Sequence, residues 1–176
     1  MGCSEIVSSN LIGPLSVNCS VLYTNVLVNN YDWLYGAIQG HAAFLTWSFS
    51  DGPVYSNLDN TCVHQWTSAG TYPVTLTAYN NDNPSGVSTN LLVYVVPPLP
   101  AQIQSPVLLT NGFGFQFVGQ MSANYLIQYT TNLSPPITWQ ELQEIVCTNQ
   151  GTLQFLDPSA ASAPRFYRVV NQSTGF

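Results

Sequence analysis

Apolar and polar residues alternate along much of the chain with the two-residue period of a β-strand. The clearest run, Leu45 to Ser50, places apolar side chains on one face and ends in the turn dipeptide Asp51-Gly52. Thr71 to Tyr79 alternates in the same way. No apolar period of 3.6 residues persists for the length of a helix, and glycine or proline recurs every few residues. The pattern therefore predicts an all-β protein.

A proline-rich segment divides the chain into two parts. Three prolines within 97–100 remove backbone donors and favour an extended conformation. Just before them, Leu91 to Val96 is apolar on both faces, which predicts a strand covered on both sides. The alternation then resumes at Phe113, Phe115 and Phe117, at Tyr125, Ile127 and Tyr129, at Leu153 and Phe155, and at Tyr167 and Val169. We predict two immunoglobulin-like β-sandwich domains in tandem: an N-terminal arm at 1–14, a first sandwich at 15–96, a hinge at 97–100 and a smaller sandwich at 101–176.

Charged residues are scarce. Only 6% of the 176 residues are Asp, Glu, Lys or Arg, compared with about 25% in ordinary globular proteins. The two basic residues are Arg165 and Arg168, and the net charge is -6, so the basic patch that nucleic-acid binding requires is missing. The longest apolar run has the length of a strand, so we expect no membrane span. The first ten residues lack the basic and apolar regions of a signal peptide.

Four sequence elements follow one another in the first part of the chain. They are Trp47 to Gly52, the His64-Gln65-Trp66 triplet, Ala69 to Thr77, and Val93 to Val95. In this order they resemble the PKD (polycystic kidney disease) domain family over about 15–96. The resemblance implies a β-sandwich, mostly extracellular, that serves as a spacer, an adhesion module or an accessory to a secreted hydrolase and has no catalysis of its own.

Two departures from the family pattern stand out. Ser50 replaces the usual glycine before Asp51, and Asn30 to Ala42 is interpreted as an insertion whose loop, Tyr31 to Tyr35, has no counterpart in the family. The second part of the chain, from Tyr125 to Val169, resembles a small β-sandwich repeat of secreted proteins of Verrucomicrobia-like bacteria. That likeness implies a bacterial, exported origin and carries no function.

The four cysteines are Cys3, Cys19, Cys62 and Cys147, and no two of them form a C-x-x-C pair. An even number in an exported chain favours disulfides, with three possible connectivities. A Cys19–Cys62 bond would close the first domain, and a Cys3–Cys147 bond would tie the arm to the second domain or to a neighbouring molecule. Four buried free thiols are the alternative.

Catalytic chemistry is not evident in the sequence. His41 and His64 are the only histidines, and there is no nucleophile elbow of the type G-x-S-x-G. His64 and Cys62 could share a strand face, yet no second pair completes a zinc site, so we interpret His64 as a structural residue bonded beside Trp47. We predict that the protein is not an enzyme and has no cofactor.

Calcium is the one metal that the sequence leaves open. The candidate oxygen ligands are Asp51 and Asp59, and Asp82 with Asn80, Asn81 and Asn83. Each loop offers a single carboxylate, so turn formation is the simpler role. Glu141 and Glu144, near Trp139, are interpreted as solvated. Arg165 and Arg168 should each pair with a specific acid, and Asp157 is one hairpin away.

Three aromatic residues in the inserted segment form a candidate contact site. Tyr31, Trp33 and Tyr35 alternate on one face, where they could stack on sugars, make a protein contact or be buried against the sandwich. We expect a non-catalytic extracellular structural protein, a cell-surface or matrix subunit that self-assembles into a filament through β-sandwich contacts and an N-terminal strand. A carbohydrate-binding or adhesion module of a secreted hydrolase is the alternative. The expected partners are copies of the protein, other cell-surface proteins or a polysaccharide.

Overall fold

The computed structural model describes residues 11–57, 59–160 and 164–173. Within these ranges it contains fourteen β-strands and no α-helix. The strands are β1 (Ser16–Val21), β2 (Asn25–Leu27), β3 (Tyr31–Gln39), β4 (Phe44–Phe49), β5 (Val54–Asn57), β6 (Thr61–Gln65), β7 (Gly70–Tyr79), β8 (Val87–Val96), β9 (Gln104–Leu109), β10 (Gly112–Gly119), β11 (Asn124–Thr130), β12 (Gln140–Val146), β13 (Gly151–Asp157) and β14 (Phe166–Asn171). The predicted all-β sandwich class is confirmed.

The chain forms two compact units. The described parts of the first lie within 11–24, 31–64 and 70–94, and those of the second within 25–30, 65–69 and 95–173. A single domain boundary at 97–100 would assign two short segments, 25–30 and 65–69, to the first unit, although they belong to the second. One of them contains β2, and beside it the Val28 N–H donates to the carbonyl oxygen of Val96 (3.0 Å), a residue of the same unit.

The first unit is a sandwich of two antiparallel sheets. One sheet has the order β1-β3-β6, and the other contains β8, β7, β4 and β5 in that order. Trp47 pairs with Leu76 across β4 and β7, and both side chains are fully buried. The opposing sheet approaches them through Gly36 of β3, where a Cβ atom would lie 2.7 Å from Leu76 Cδ2. The close packing of the two sheets at this point requires a residue without a side chain.

The second unit is a sandwich of two three-stranded sheets, β13-β10-β9 and β12-β11-β14. Phe117 from the first sheet and Tyr125 from the second are both buried, with their rings edge to face at 5.1 Å. The remaining buried members of this core are Leu27, Phe115, Ala123, Ile127, Cys147 and Phe155. The turn before β10 depends on Gly112, which has φ +144° and would place a Cβ atom 2.3 Å from the Asp157 carbonyl oxygen.

One prediction about strand burial is wrong. The segment Leu91 to Val96 is apolar on both faces, but only one face is covered, since Leu92 and Tyr94 of β8 remain 49% and 45% exposed. Val93 and Val95 fill the core on the other side. An apolar run of strand length therefore does not by itself show that both faces are covered.

Candidate functional site

The aromatic row of Tyr31, Trp33 and Tyr35 lies on the outer face of β3. The three side chains are 66%, 49% and 40% exposed, and they project from alternate residues of one strand. A strand rises about 3.4 Å per residue, so neighbouring aromatics stand about 6.8 Å apart along the strand. Burial of these residues against the sandwich is excluded, and the predicted inserted loop is instead the central strand of its sheet.

The surface around the aromatic row carries no charged side chain on the flanking strands. On β1, Ser20 lies opposite Tyr35, and just beyond it the Leu22 N–H donates to the Trp33 carbonyl oxygen (2.8 Å), with the Leu22 side chain exposed. On β6, the outward residues are Thr61 and Val63. The outer face of β1-β3-β6 is thus an open, neutral surface with aromatic rings along its centre.

Asp32 lies on the opposite face of β3, between Tyr31 and Trp33 in sequence, and its side chain is fully buried. Its Oδ1 accepts hydrogen bonds from the backbone N–H groups of Tyr23 (3.2 Å) and Trp33 (2.9 Å), while Oδ2 has no partner among the described residues. Burial raises the pKa of this carboxyl to about 6, and the two backbone hydrogen bonds act in the opposite direction. Asp32 therefore stabilises the start of β3 from the buried face of the strand, opposite the aromatic row.

His64 is a structural residue of the first unit. Its Nε2 lies 3.0 Å from Oδ2 of Asp51, and its ring stacks on Phe49 at 3.9 Å. The side chain is almost fully buried on β6. The interpretation of His64 as structural fits this geometry, and its carboxylate partner Asp51, at the Asp-Gly turn after β4, was not foreseen.

The described part of the chain contains no group of three or more His, Cys, Asp or Glu side chains that could hold a metal ion. Asp51 is engaged by His64, and Asp59 is exposed before β6. In the other candidate loop the Asp82 carboxylate accepts from the Gly13 N–H (2.7 Å), and Asn80 Oδ1 accepts from the N–H and Nδ2 of Asn83. Asn80 therefore stabilises its own turn, and Asp82 binds the end of the N-terminal arm.

The predicted partner of Arg165 is confirmed. Its Nη1 lies 2.7 Å from Oδ2 of Asp157, which is buried, and its guanidinium stacks over the Tyr129 ring at 4.1 Å. Tyr167 also donates to Asp157 Oδ2 (2.9 Å). Burial and this hydrogen bond raise the pKa of Tyr167 to about 12. Asp157, Arg165 and Tyr167 thus form a largely buried polar cluster, here called the Asp157 group, which stabilises the second sandwich at the end of β13.

Contrary to expectation, Arg168 has no acidic partner within the part of the chain that the structure describes. Its Nε donates to the amide oxygen of Gln128 (2.7 Å), and its guanidinium lies 4.3 Å from the centre of the Trp139 ring. Glu141 and Glu144 on β12 are exposed, as predicted, and Glu144 accepts a hydrogen bond from Asn124.

Cys19, Cys62 and Cys147 are free thiols. Cys19 is on β1 and Cys62 on β6, and both strands flank β3. Two strand spacings of about 4.8 Å separate the cysteine backbones by about 9.6 Å, beyond the about 7 Å that a disulfide tolerates. The structure therefore does not contain the Cys19–Cys62 bond, which is one of the three connectivities that the sequence left open, and Cys3 lies outside the described residues. Burial raises the pKa of all three thiols, which makes them poor nucleophiles.

Comparison with known proteins identifies a class of module for part of the chain. A family model of the PKD domain matches residues 37–95, which confirms the resemblance over that range. The match begins after Tyr35, so the aromatic row lies outside it. No curated protein matches the chain. In the described residues, no helix has the length and apolar character needed to cross a membrane.

Solved structures show a weak likeness to β-sandwich proteins. Carbohydrate-binding modules from the β-sandwich superfamily align over 89% of this chain and 90% of that chain, with 10% identity and a TM-score of 0.46. Salmonella α-2-macroglobulin reacted with methylamine aligns over 97% of this chain and 15% of its own, with 11% identity and a TM-score of 0.37. A segment of two fibronectin type III domains from chicken tenascin covers 90% and 98%, with 11% identity and a TM-score of 0.31.

Proposed function

We propose that the protein is a non-catalytic extracellular structural or adhesion module, which binds copies of itself or other surface proteins through the aromatic row of β3. The exposure of Tyr31, Trp33 and Tyr35 on a neutral face is the observation that carries this proposal. Aromatic residues are enriched and charged residues are depleted at the cores of protein interfaces. The family match of residues 37–95 supports the extracellular, non-catalytic part, because PKD domains are mostly modules of that kind.

The composition of the whole chain supports association between copies. Charged residues make up only 6% of the sequence, so that packed copies repel one another little. The strand β9 pairs with β10 on one side and is the edge of its sheet. All six of its residues are exposed, and Leu108 is 76% exposed. The exposed apolar end of this edge strand, Val107 to Leu109, is a template for pairing with another chain.

A filament is the finer form of this proposal, with the N-terminal arm adding as a strand to a neighbouring sheet. Residues 1–10 of the arm lie outside the described ranges. The described end of the arm is tied to its own unit, since the Leu11 carbonyl oxygen accepts from the Asn81 N–H (2.8 Å) and Gly13 accepts from Asn80 Nδ2 (2.9 Å). Any strand exchanged between copies would therefore consist of residues that precede Leu11.

Oligomer formation tests the proposal. Light scattering after size exclusion, and negative-stain microscopy at high protein concentration, should show assemblies of the wild-type protein that Trp33→Ala disrupts. Tyr94→Ala is the matched control, since it removes a comparably exposed aromatic from the other sheet of the same unit. A wild-type protein that stays monomeric, or a Trp33→Ala variant that assembles like wild type, would refute the role of this face.

A carbohydrate-binding module is the second candidate, and the regular spacing of the same aromatic row favours it. Flat rings at intervals of about 6.8 Å along one strand offer a series of stacking platforms, and the absence of charge suits a neutral polysaccharide. Retention of the protein by insoluble polysaccharide, or migration in a gel that contains soluble polysaccharide, should then depend on Trp33 and Tyr35 and be unaffected by Tyr94→Ala. A glycan array without hits removes this candidate.

A further inference from the structure

The second unit contains a cleft of about 660 Å³ beside the proline-rich segment. Its apolar lining consists of two sets of residues: Pro97, Leu99 and Pro100 from the proline-rich segment, here called the wall, and Val118 and Met121, here called the base. Its volume falls in the range of about 300–1,000 Å³ that small-ligand sites occupy. The cleft is lined by residues of the second unit alone, and it is separate from the aromatic row, which belongs to the first unit.

Amide side chains dominate the polar lining of the cleft. Asn25, Gln102, Gln104, Gln120 and Gln150 all face it. They come from four places in the chain: the start of β2, the approach to β9, the end of β10 and the turn before β13. Among the residues that the structure describes, no acidic or basic one lines the cleft.

One of these amides shapes the cleft. Gln120 Oε1 accepts from the Leu99 N–H (2.6 Å), and Gln120 Nε2 donates to the Pro97 carbonyl oxygen (3.1 Å). The Gln120 N–H in turn donates to the Tyr125 hydroxyl (2.9 Å). These bonds hold the proline-rich wall in place against the end of β10, so the cleft is largely formed before any ligand enters.

The other four amides have no hydrogen-bonding partner for their side chains among the described residues. Gln102, Gln104 and Gln150 are exposed, and Asn25 is half-buried. An amide offers two donor hydrogens and an acceptor oxygen. The four side chains therefore present eight donor hydrogens and four acceptor oxygens to whatever occupies the cleft.

We propose that this cleft binds a neutral oligosaccharide. Each sugar hydroxyl both donates and accepts a hydrogen bond, and free amides can satisfy both demands. The C–H faces of a sugar ring can pack on the proline, leucine and methionine of the wall and base. A charged ligand would lose hydration without gaining an opposite charge, which disfavours anionic and cationic ligands.

A peptide is the other class of ligand that amides can bind, and the lining favours it less. Peptides that bind β-proteins usually add as a strand to a free sheet edge, where backbone groups make the hydrogen bonds. Here the free polar groups are side chains from separate loops and strand ends. Binding of a sugar in this cleft does not require the aromatic row of β3, so the two sites can be tested separately.

The test uses the whole protein and a panel of soluble probes: cellohexaose, xylohexaose, maltohexaose and chitohexaose, with an alginate hexasaccharide and a neutral glycine-serine hexapeptide for comparison. Binding is followed by NMR at millimolar probe concentration and quantified by titration calorimetry. At least one neutral hexasaccharide should shift the amide side-chain resonances of Gln102, Gln104 and Gln150.

The double variant Gln104→Ala/Gln150→Ala should weaken that binding by about tenfold, which corresponds to about 1.4 kcal/mol, because it removes two of the four free amides. Gln143→Ala/Gln172→Ala is the matched control, since it removes two exposed glutamines outside the cleft. It should bind like wild type, as should Trp33→Ala. An unchanged melting temperature shows that the variants remain folded.

Several outcomes would overturn the proposal. They are the absence of shifts at the cleft with every neutral hexasaccharide, equal affinity of wild type and the Gln104→Ala/Gln150→Ala variant, and stronger binding of the alginate or the peptide than of any neutral sugar. Binding that Trp33→Ala abolishes while the cleft variant retains it would place the sugar on β3 and refute the cleft site.

Discussion

The buried carboxyl of Asp32 makes the stability of the first unit depend on pH in a defined direction. The group has no cationic partner among the described residues, and one of its oxygens makes no hydrogen bond there. Its charged form is therefore disfavoured in the folded protein, where the pKa is raised from 3.8 to about 6. We predict that Asp32→Asn removes this pH dependence, because asparagine keeps the Oδ1 acceptor and cannot ionise.

The magnitude follows from the difference between the two pKa values. A difference of about 2.2 units corresponds to about 3 kcal/mol, at about 1.4 kcal/mol per unit. Since the folded pKa is the higher one, the folded protein is stabilised relative to the unfolded chain where the Asp32 carboxyl is protonated. This stabilisation is fully present well below about pH 4, falls as the pH rises through about 6 and is absent above it. The free energy of unfolding of wild type should therefore fall relative to that of Asp32→Asn by about 2.5 kcal/mol between pH 4 and pH 7, because about 0.5 kcal/mol is already lost at pH 4, close to the unfolded pKa.

Urea unfolding measures this effect when it is followed by the methyl resonances of Leu34 and Leu76, which report on the first unit alone. The amide nitrogen of Asp32→Asn lacks a partner at every pH, which adds a constant offset of about 1–3 kcal/mol. The change with pH is thus the diagnostic quantity. Asp59→Asn removes the same charge from an exposed position of the same unit and is the control.

A difference between wild type and Asp32→Asn that stays constant from pH 4 to pH 7 would refute the reasoning. It would mean that the Asp32 carboxyl is hydrated or paired in solution. A decrease of the same size in the comparison with Asp59→Asn would show that net charge causes the effect and burial does not.

Three further predictions concern packing and the Asp157 group. Gly36→Ala places a methyl group 2.7 Å from a core leucine of the opposing sheet and should lower the free energy of unfolding by about 1–3 kcal/mol in urea. The control Gly151→Ala, with nothing within 4 Å of its Cβ, should have little effect. Equal effects of the two substitutions would contradict the close approach of the sheets at Gly36. Asp157→Asn leaves the mostly buried Arg165 without its carboxylate partner and should lower the free energy of unfolding by about 3 kcal/mol. The double variant Asp157→Asn/Arg165→Met should recover part of this loss. Additive effects in a double-mutant cycle would show that Asp157 and Arg165 are not coupled. The same Asp157→Asn change should lower the pKa of Tyr167 from about 12 in an ultraviolet titration, because a hydrogen bond that favours the neutral phenol is lost; an unchanged value would exclude a contribution from Asp157.

Strands were predictable where one face is apolar and the other is polar. The alternation in β4 and β7 has this form, since Trp47 and Leu76 point inward and the threonines lie between apolar positions. In β3 the pattern is inverted, because an aspartate is buried and three aromatic residues face outward. Periodicity detects the alternation but cannot tell which face is inside, and the segment was interpreted as a loop because it had no counterpart in the PKD pattern.

Whether the pairing of two side chains could be predicted depended on how many possible partners the sequence offered. With only two cations in the chain, a nearby acid was a natural partner for Arg165, and Asp157 fulfils that role. The pairing of Cys19 with Cys62 had no such basis, since it depends on strand order. Only the sheet shows that β3 lies between the two strands and keeps the thiols apart.

The sequence by itself determined the all-β class, the scarcity of charge and the PKD-like pattern of the first part, because strand period, composition and local turn chemistry are properties of neighbouring residues. The tertiary structure decided which faces are buried, which thiols are separated and where the free amides meet. Asn25 and Gln150 are far apart in the chain, and they line the same cleft because the second unit brings β2 and the turn before β13 together. A binding surface is thus set by packing between distant segments, and only the structure shows that the aromatic row on β3 faces outward.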